Sequence, residues 1–323
     1  MNILLLLLFF LILFALELIY FQIADRYNII DQPNHRSSHT KVTIRGGGII
    51  FSLSLLIAPL YFGWEYNYFL AGLFLISLIS FIDDVRPIRK RVRITIHLIA
   101  VALLFRQLNV YHLEYYWIIF GFVLFIGTIN AINFMDGING ITGGYSLVAL
   151  LTLFYINRFY IPFTDENPLI IGIIAVLVFN FFNFRQKAKC FAGDVGSVSI
   201  AFIILFFIFK LILKTGDLNY LLLLLIYGLD STTTIIFRVI RKENIFEAHR
   251  RHLYQFLVNE KKMPHLLVAA IYMLAQALLN AGLLLVLSKS SLNFPLALVI
   301  ATLLFVLLRL KMEGRHRLLD PVN

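Results

Sequence analysis

The chain has 323 residues, of which 60% are hydrophobic and 14% charged, and its mean hydropathy is +0.85. A soluble domain of this length could not bury so much apolar surface, so these values exclude a soluble protein. They predict an all-α polytopic membrane protein. The formal net charge is +10, and the single Cys190 excludes an internal disulfide.

Eleven apolar segments follow one another, each near the ~20 residues that a helix needs to cross a bilayer. Several are short, so ten spans would also fit. The first has no basic residue before it and no small-residue cleavage site after it, which argues against a signal peptide. With no repeat or long polar linker, residues 1–323 are expected to form a single integral-membrane domain. The segments are 3–23, 46–62, 66–82, 92–108, 115–133, 141–157, 167–184, 196–213, 219–237, 265–287 and 292–310.

Basic residues predict the orientation, because loops that stay in the cytoplasm are enriched in Lys and Arg. With eleven spans and the N-terminus outside, 23 of the 28 basic residues fall on the inner side and 5 on the outer side. The polar motifs all fall at the inner ends of spans. We therefore expect the functional loops and the C-terminus in the cytoplasm, where the positive charge would attract anionic lipids or an anionic substrate.

The first inner loop carries Arg36, Lys41 and Arg45, followed by the three glycines 46–48. Glycines ahead of a helix allow backbone N–H groups to approach a phosphate closely. We predict a phosphate-binding loop in which Arg36, Lys41 and Arg45 supply charge. A flexible basic loop with no ligand explains the same residues.

The second inner loop begins with Asp83 and Asp84 and continues with several bases, Arg93 among them. Adjacent carboxylates at the end of a span suit Mg²⁺, which prefers oxygen ligands. Pro87 stands where the paired-Asp motif of prenyl synthases requires a further Asp, so that class is not indicated. Two solvated acids that balance the neighbouring bases are the simpler alternative.

Asn130, Asn133 and Asp136 recur every three residues at the end of another span, so a helix would align them along one face. Such a polar stripe is more typical of ligand binding than of packing. Asn139 follows in a glycine-rich turn. Caps of a helix end are the structural alternative.

Asp194 stands between two glycines directly ahead of a span, where it could be a helix cap or a metal ligand. Asp230 falls inside the span 219–237, and an acid at that depth is functional by default. It could face a groove for a lipid phosphate or pair with a hydroxyl such as that of Thr234, and we assign it no catalytic role.

His249 and His252 are three residues apart, which on a helix would place them on one face beside Arg250 and Arg251. The spacing is not that of a zincin, so zinc is not indicated. A histidine pair that contacts phosphate fits better, and a basic helix lying on the membrane surface is the alternative.

Five segments in this order carry a resemblance: Arg-Ser-Ser-His before Arg-Gly-Gly-Gly, the pair Asp83-Asp84, Asn-Ala-Ile-Asn-Phe-Met-Asp-Gly, Ala-Gly-Asp-Val-Gly-Ser and His-Arg-Arg-His. Together they resemble the polyprenyl-phosphate N-acetylhexosamine-1-phosphate transferase family (glycosyltransferase family 4) over residues 25 to 255. The resemblance implies transfer of a sugar 1-phosphate from a UDP-sugar to undecaprenyl phosphate with release of UMP, at the cytoplasmic face of the bacterial inner membrane.

The resemblance also implies roles for the motif residues. Asp194 and Asn133 would bind Mg²⁺, with Mn²⁺ as a substitute, and Asp83 and Asp84 would hold the metal and the lipid phosphate, with Asp83 the preferred candidate for a base. Asn139 corresponds to the position that contacts uracil, although many bacterial relatives carry Asp there. The remaining residues expected to contact substrate or its phosphates are Asp136, Lys41, Arg45, Arg93, His249, Arg250 and His252.

The branch within the family is indicated by His-Arg-Arg-His, because the peptidoglycan branch typically has three consecutive His. We expect the branch that starts O-antigen, lipopolysaccharide, capsule or other surface glycans, with UDP-GlcNAc as donor and UDP-FucNAc or UDP-QuiNAc as alternatives. A nucleotide-sugar transporter is the rival class, but it should place polar residues at mid-membrane. No nucleic-acid partner is expected, and the oligomeric state stays open, with a homodimer as one option.

Overall fold

The computed structural model describes residues 2–31, 42–63, 66–245, 247, 249–287 and 292–320, and this part of the chain is almost entirely helical. Two short strands, β1 (Ile30–Asp31) and β2 (Thr43–Ile44), form an antiparallel pair. The helices are α1 (Ile3–Arg26), α2 (Ile49–Ile57), α3 (Pro59–Phe62), α4 (Asn67–Val85), α5 (Lys90–Gln107), α6 (Tyr115–Met135), α7 (Ile141–Phe159), α8 (Glu166–Asn183), α9 (Gly193–Thr215), α10 (Leu225–Ile240), α11 (Leu253–Asn259), α12 (His265–Leu287), α13 (Phe294–Glu313) and α14 (Arg315–Leu319), with 3₁₀ turns at Val110–His112 and Leu218–Leu224.

Eight helical segments of the described residues are long and apolar enough to cross a membrane. They are α1, α4, α6, α8, α9, α12, α13 and the segment Leu218–Ile240, which joins the second 3₁₀ turn to α10. The prediction of an α-helical, multi-pass membrane protein is therefore confirmed. The three other expected spans correspond to the α2–α3 pair, α5 and α7, which are shorter or less apolar.

Helix α9 lies at the centre of the bundle, with 89% of its apolar stretch buried inside the protein, against 11% for α13. It is apolar on all sides, as expected for a helix surrounded by other helices, and it packs against α2, α4, α6 and α7. Phe69 of α4 stacks on Phe202 and Phe206 of α9, with ring centroids 5.7 and 4.0 Å apart. The N-terminus of α9, which carries Asp194, is thereby fixed among its neighbours.

The three glycines before α2 have a different role from the one predicted. The N–H groups of Gly47 and Gly48 donate to the carbonyls of Phe191 and Ala192, at 2.9 and 3.1 Å. Phe191 N–H in turn donates to Ile44 O, at 2.8 Å. These two glycine N–H groups are engaged and cannot bind a phosphate, so that expectation is wrong for them. The glycines allow this backbone to run against residues 190–192.

Gly48 shows the closest approach, because a Cβ there would lie 2.3 Å from the Cα of Gly196 in α9. The atoms nearest to this position belong to backbone, so movement of a side chain could not make room for the methyl group. The start of α2 and the first turn of α9 therefore cross with no room for a methyl group.

We predict that Gly48→Ala lowers the melting temperature of the detergent-purified protein by several degrees, because overpacking costs about 1–3 kcal/mol. Gly228→Ala in α10 is the matched control, since a Cβ there meets nothing within 4 Å and alanine favours a helix. Thermal unfolding of both variants tests the crossing, and equal melting temperatures would contradict it.

Candidate active site

Asp84 joins two of the predicted motifs through hydrogen bonds to backbone. It lies in the last turn of α4, and its carboxylate accepts from the N–H groups of Asp194 and Val195, each at 2.9 Å. The first N–H groups of a helix have no partner within it, and the positive end of the helix dipole favours an anion there. Asp84 thus caps α9 from a neighbouring helix and holds Asp194 at the end of the bundle.

Arg45 connects the first loop to the same carboxylates. Its Nε donates to Asp84 Oδ1 at 2.6 Å, and a terminal nitrogen donates to Asp194 Oδ1 at 3.4 Å. Burial alone would lower the pKa of Arg45, but Asp84 and Asp194 outweigh burial and raise the pKa above its usual value. Arg45 is therefore a fixed positive charge between two acids.

Arg93, in the first turn of α5, links the remaining acid. One terminal nitrogen donates to Asp83 at 2.9 Å and to Asp194 at 3.2 Å. The other oxygen of Asp83 accepts from Ile88 N–H at 2.7 Å. Asp83, Asp84 and Asp194, each at the end of a predicted span, therefore form one cluster with Arg45 and Arg93.

A cavity of about 250 Å³ opens beside this cluster. Asp194, Arg45, Asn133 and Asp136 are among the residues that line it. The amide oxygen of Asn133, in the last turn of α6, accepts from the hydroxyl of Ser197 at 2.8 Å, which ties α6 to α9. The full set of lining residues is Asp31, Arg45, Asn133, Asp136, Gly137, Ile138, Asn139, Asn183, Phe191, Gly193, Asp194, Gln255 and His265.

Asp136 follows the last residue of α6 and is not part of the helical stripe that was predicted, because the helix ends at Met135. Burial, reinforced by the negative charges of Asp194 and Asp84, raises the pKa of Asp136 to about 7. Its carboxyl group is thus close to half protonated at neutral pH in the protein as it stands. A cation in the cavity would favour the ionised form.

Asn139 lies in the turn after α6 and is 5% exposed. Its amide nitrogen donates to the carbonyls of Arg185 and Gln186, at 2.9 and 3.2 Å. These two bonds fix the orientation of the amide, so the other atom is the oxygen. That oxygen is buried and has no hydrogen-bond partner among the described residues. Asn139 also lines the cavity, so this acceptor lies close to it.

The histidine pair is arranged differently from the prediction. His249 lies in an irregular segment, and α11 begins only after His252, so the two do not share a helical face. Their rings are nevertheless 5.0 Å apart, beside Phe134. Burial and the nearby His252 lower the pKa of His249 to about 3, so it is neutral at physiological pH.

His249, Arg250 and His252 do not line the cavity. Gln255, one turn after His252, does, and its side chain accepts from His252 N–H at 3.3 Å. The histidine segment thus borders the cavity wall without forming it. Lys41 lies outside the described residues.

Comparison with known proteins now adds to this geometry. A family model described as "Glycosyl transferase family 4" matches residues 66–212, the stretch that holds Asp83, Asp84, Asn133, Asp136 and Asp194. Over this stretch the chain is similar to glycosyl transferase family 4. The resemblance predicted from the motifs is therefore confirmed.

Two curated relatives align over about three quarters of the chain and a third over about half of it. A probable undecaprenyl-phosphate N-acetylglucosaminyl 1-phosphate transferase of Bacillus subtilis is 24% identical over 273 residues, which cover 78% of this chain and 76% of the relative. An undecaprenyl-phosphate alpha-N-acetylglucosaminyl 1-phosphate transferase of Thermotoga maritima is 26% identical over 76% of this chain and 79% of its own. A phospho-N-acetylmuramoyl-pentapeptide-transferase of Dictyoglomus turgidum is 30% identical, but over 48% of this chain and 55% of its own.

The sequence analysis did not predict four polar residues that line the cavity: Asp31, Asn183, Gln255 and His265. Asn183 and His265 stand at inner ends of apolar segments, so the criterion that found Asn133 would have found them too. Asn183 accepts from Gly140 N–H at 2.8 Å, and His265 lies 3.5 Å from Asn139 N. Both therefore support the glycine turn of the family motif.

The donor set of the cavity fits a magnesium ion. Asp194, Asp136 and Asn133 offer the oxygen ligands that Mg²⁺ prefers, and Mg²⁺ commonly takes only one or two carboxylates together with substrate phosphates and water. No group of three or more His, Cys, Asp or Glu suited to a metal occurs among the described residues. The oxygens of Asp84 already accept from two N–H groups and Arg45, which suits a supporting role more than direct ligation.

We predict that Asp136 makes the stability of the ligand-free protein pH-dependent. A carboxyl group whose pKa is about 7 in the folded protein and near 3.8 when unfolded stabilises the fold fully below pH ~4, and this contribution is lost as the pH rises to ~7. Melting temperatures in EDTA from pH 5 to 8 should fall more steeply for the wild type than for Asp136→Asn. Parallel curves would refute the raised pKa.

Proposed function

We propose that this protein transfers N-acetylglucosamine 1-phosphate from UDP-GlcNAc to undecaprenyl phosphate and releases UMP. The observation that carries the proposal is the polar cavity at one end of the spans, where acids, amides and Arg45 meet. A cavity at the membrane boundary can receive a water-soluble nucleotide and a lipid phosphate together. The printed names of the relatives from Bacillus subtilis and Thermotoga maritima support this substrate pair.

The proposed reaction is a phosphoryl transfer. An oxygen of the lipid phosphate bonds to the phosphorus that carries the sugar, and the bond from that phosphorus to the bridging oxygen breaks. UMP leaves with that oxygen, and the product is a lipid-linked pyrophosphate sugar. Such transfers depend mainly on positioning and on neutralisation of charge, for which Arg45 and Arg93 are placed beside Asp194.

Mg²⁺ is the cofactor we propose, with Mn²⁺ as a substitute, held by Asp194 and Asn133 near the pyrophosphate. Bound there, it would neutralise phosphate charge. Asp84 holds the first turn of α9, and Asp83, engaged by Ile88 N–H and Arg93, orients that arginine. A phosphate monoester, with a second pKa near ~6, is already mostly ionised at neutral pH and needs little help from a base.

Asn139 is proposed to recognise the base. Its buried oxygen is an acceptor without a partner among the described residues, and the imide N–H of uracil is a donor. An unpaired buried acceptor is costly, which favours a ligand that supplies the missing hydrogen. In this chain the carbonyls of Arg185 and Gln186 engage the amide nitrogen, so the oxygen is the atom left to accept from a ligand.

The branch and the orientation are part of the same proposal. The His-Arg-Arg-His segment, in place of three consecutive His, favours a donor with GlcNAc over the muramoyl-pentapeptide donor, in a branch that starts surface glycans such as O-antigen. UDP-FucNAc and UDP-QuiNAc remain alternative donors. With eleven spans, 23 of the 28 basic residues fall on one side, which favours an external N-terminus and a site on the cytoplasmic face of the bacterial inner membrane.

The test is UMP release by detergent-purified protein given UDP-GlcNAc, undecaprenyl phosphate and Mg²⁺. We expect release that requires both lipid and metal, stops in EDTA and falls by about 10²-fold or more in Asp194→Asn, as for the loss of a charge-stabilising group. Glu166→Gln, which removes a carboxylate from the first turn of α8 and its ion pair with Arg158, should leave the rate unchanged.

No UMP release with any UDP-N-acetylhexosamine, from protein that is folded by its thermal transition, would overturn the proposal. Release with UDP-FucNAc or UDP-QuiNAc but not UDP-GlcNAc would change the donor and keep the reaction.

A further inference from the structure

Asp230 in α10 and Arg309 in α13 are charged side chains that lie buried among the spans, outside the family-matched region. They are 0% and 1% exposed, and a terminal nitrogen of Arg309 lies 3.8 Å from Asp230 Oδ1. Neither belongs to the five motifs or lines the cavity. Charges at such depth are costly and are retained where they serve a purpose.

Asp230 holds the backbone immediately after His252. Its carboxylate accepts from the N–H groups of Leu253 and Tyr254, at 2.9 and 3.4 Å, which caps the first turn of α11. The carboxylate also accepts from the hydroxyls of Tyr272, at 2.6 Å, and Thr234, at 3.3 Å, and His252 Nδ1 lies 3.6 Å from its Oδ1. The predicted pairing with Thr234 is confirmed, and the main partner is the histidine segment.

Arg309 holds the backbone immediately before His252. One terminal nitrogen donates to the carbonyl of Arg251 at 2.9 Å, and the other donates to the hydroxyls of Thr233 and Thr234. Its Nε donates to Glu313 at 2.6 Å. The guanidinium is therefore fully engaged, and its contact with the segment falls on the residue preceding His252.

The segment is in turn connected to the cavity. The hydroxyl of Tyr254 donates to the carbonyl of Phe134 at 3.0 Å, next to Asn133. Gln255, which lines the cavity, lies in the same first turn of α11 that Asp230 caps. A shift of the backbone around His252 would therefore move both Gln255 and the support of the Asn133–Asp136 turn.

We propose that Asp230 and Arg309 are positioning residues that clamp the backbone on both sides of His252 and thereby set the affinity of the site for the nucleotide. The inference rests on the proposed function, because it assigns the histidine segment to the UDP-sugar. Stability alone does not require an ion pair here, since buried pairs can often be replaced by apolar residues without loss. An apolar pair could not donate to the carbonyl of Arg251, and it could not accept from the N–H groups of Leu253 and Tyr254.

The test is the kinetics of Asp230→Asn and Arg309→Met in purified protein, with UDP-GlcNAc and undecaprenyl phosphate varied separately. We expect the KM for UDP-GlcNAc to rise at least tenfold, while the KM for the lipid changes less than twofold. Arg309→Lys keeps the charge but cannot donate to the carbonyl of Arg251 and to the threonine hydroxyls at once, so it should give an intermediate KM for UDP-GlcNAc. This variant is compared with the wild type if the other variants do not fold.

The matched control is Asn280→Ala, which also breaks a buried polar contact between spans. Asn280 is 2% exposed in α12, accepts from Gln276 and donates to Thr152, and it does not contact the histidine segment. We expect a lower melting temperature with an unchanged KM.

Clamp variants that behave like Asn280→Ala, with a lower melting temperature and active fraction but an unchanged KM for UDP-GlcNAc, would overturn the proposal. A wild-type protein that releases no UMP would refute the proposed function instead. The clamp would then be judged by calorimetric affinity for UDP, which should weaken by the same factor in Asp230→Asn and stay unchanged in Asn280→Ala.

Discussion

The capping of α9 by Asp84 is the interaction on which the rest of the site depends. A single carboxylate in α4 satisfies two N–H groups at the start of the central helix, so the relative position of two spans and the direction of Asp194 are set together. The glycine crossing of Gly48 and Gly196 brings the first loop, and with it Arg45, to the same point. Three segments far apart in sequence thus meet at one carboxylate.

The cost of gathering acids at a membrane boundary explains the composition of the cluster. Asp83, Asp84 and Asp194 would repel one another strongly in a partly dry site, and Arg45 and Arg93 each bridge two of them. Three carboxylates and two guanidinium groups leave a net negative charge, before the carboxyl group of Asp136 is counted. A divalent cation would complete this balance and then favour binding of a pyrophosphate.

The sequence predicted the membrane class and the resemblance to the family. It also singled out Asp83, Asp84 and Asp194 as site residues, because an acid at the end of an apolar span is rare. It did not predict that the N–H groups of Gly47 and Gly48 would donate to the carbonyls of Phe191 and Ala192. A glycine permits close approach, but the sequence does not show which group approaches it. His249 and His252 were assigned to a helix by their spacing alone, and spacing cannot show that α11 starts later. The pairing of Asp230 with Arg309 joins α10 to α13 and has no local signature.

The central claim is that the capped first turn of α9 presents Asp194 to the cavity as the metal and phosphate site. The most direct measurement is a crystal structure of the protein with UDP and Mn²⁺, in which anomalous scattering locates the metal. We expect one strong peak within coordination distance of the Asp194 carboxylate and close to Asn133. A peak at another group, with UDP bound in the cavity and Asp194 still paired only with Arg45 and Arg93, would contradict it.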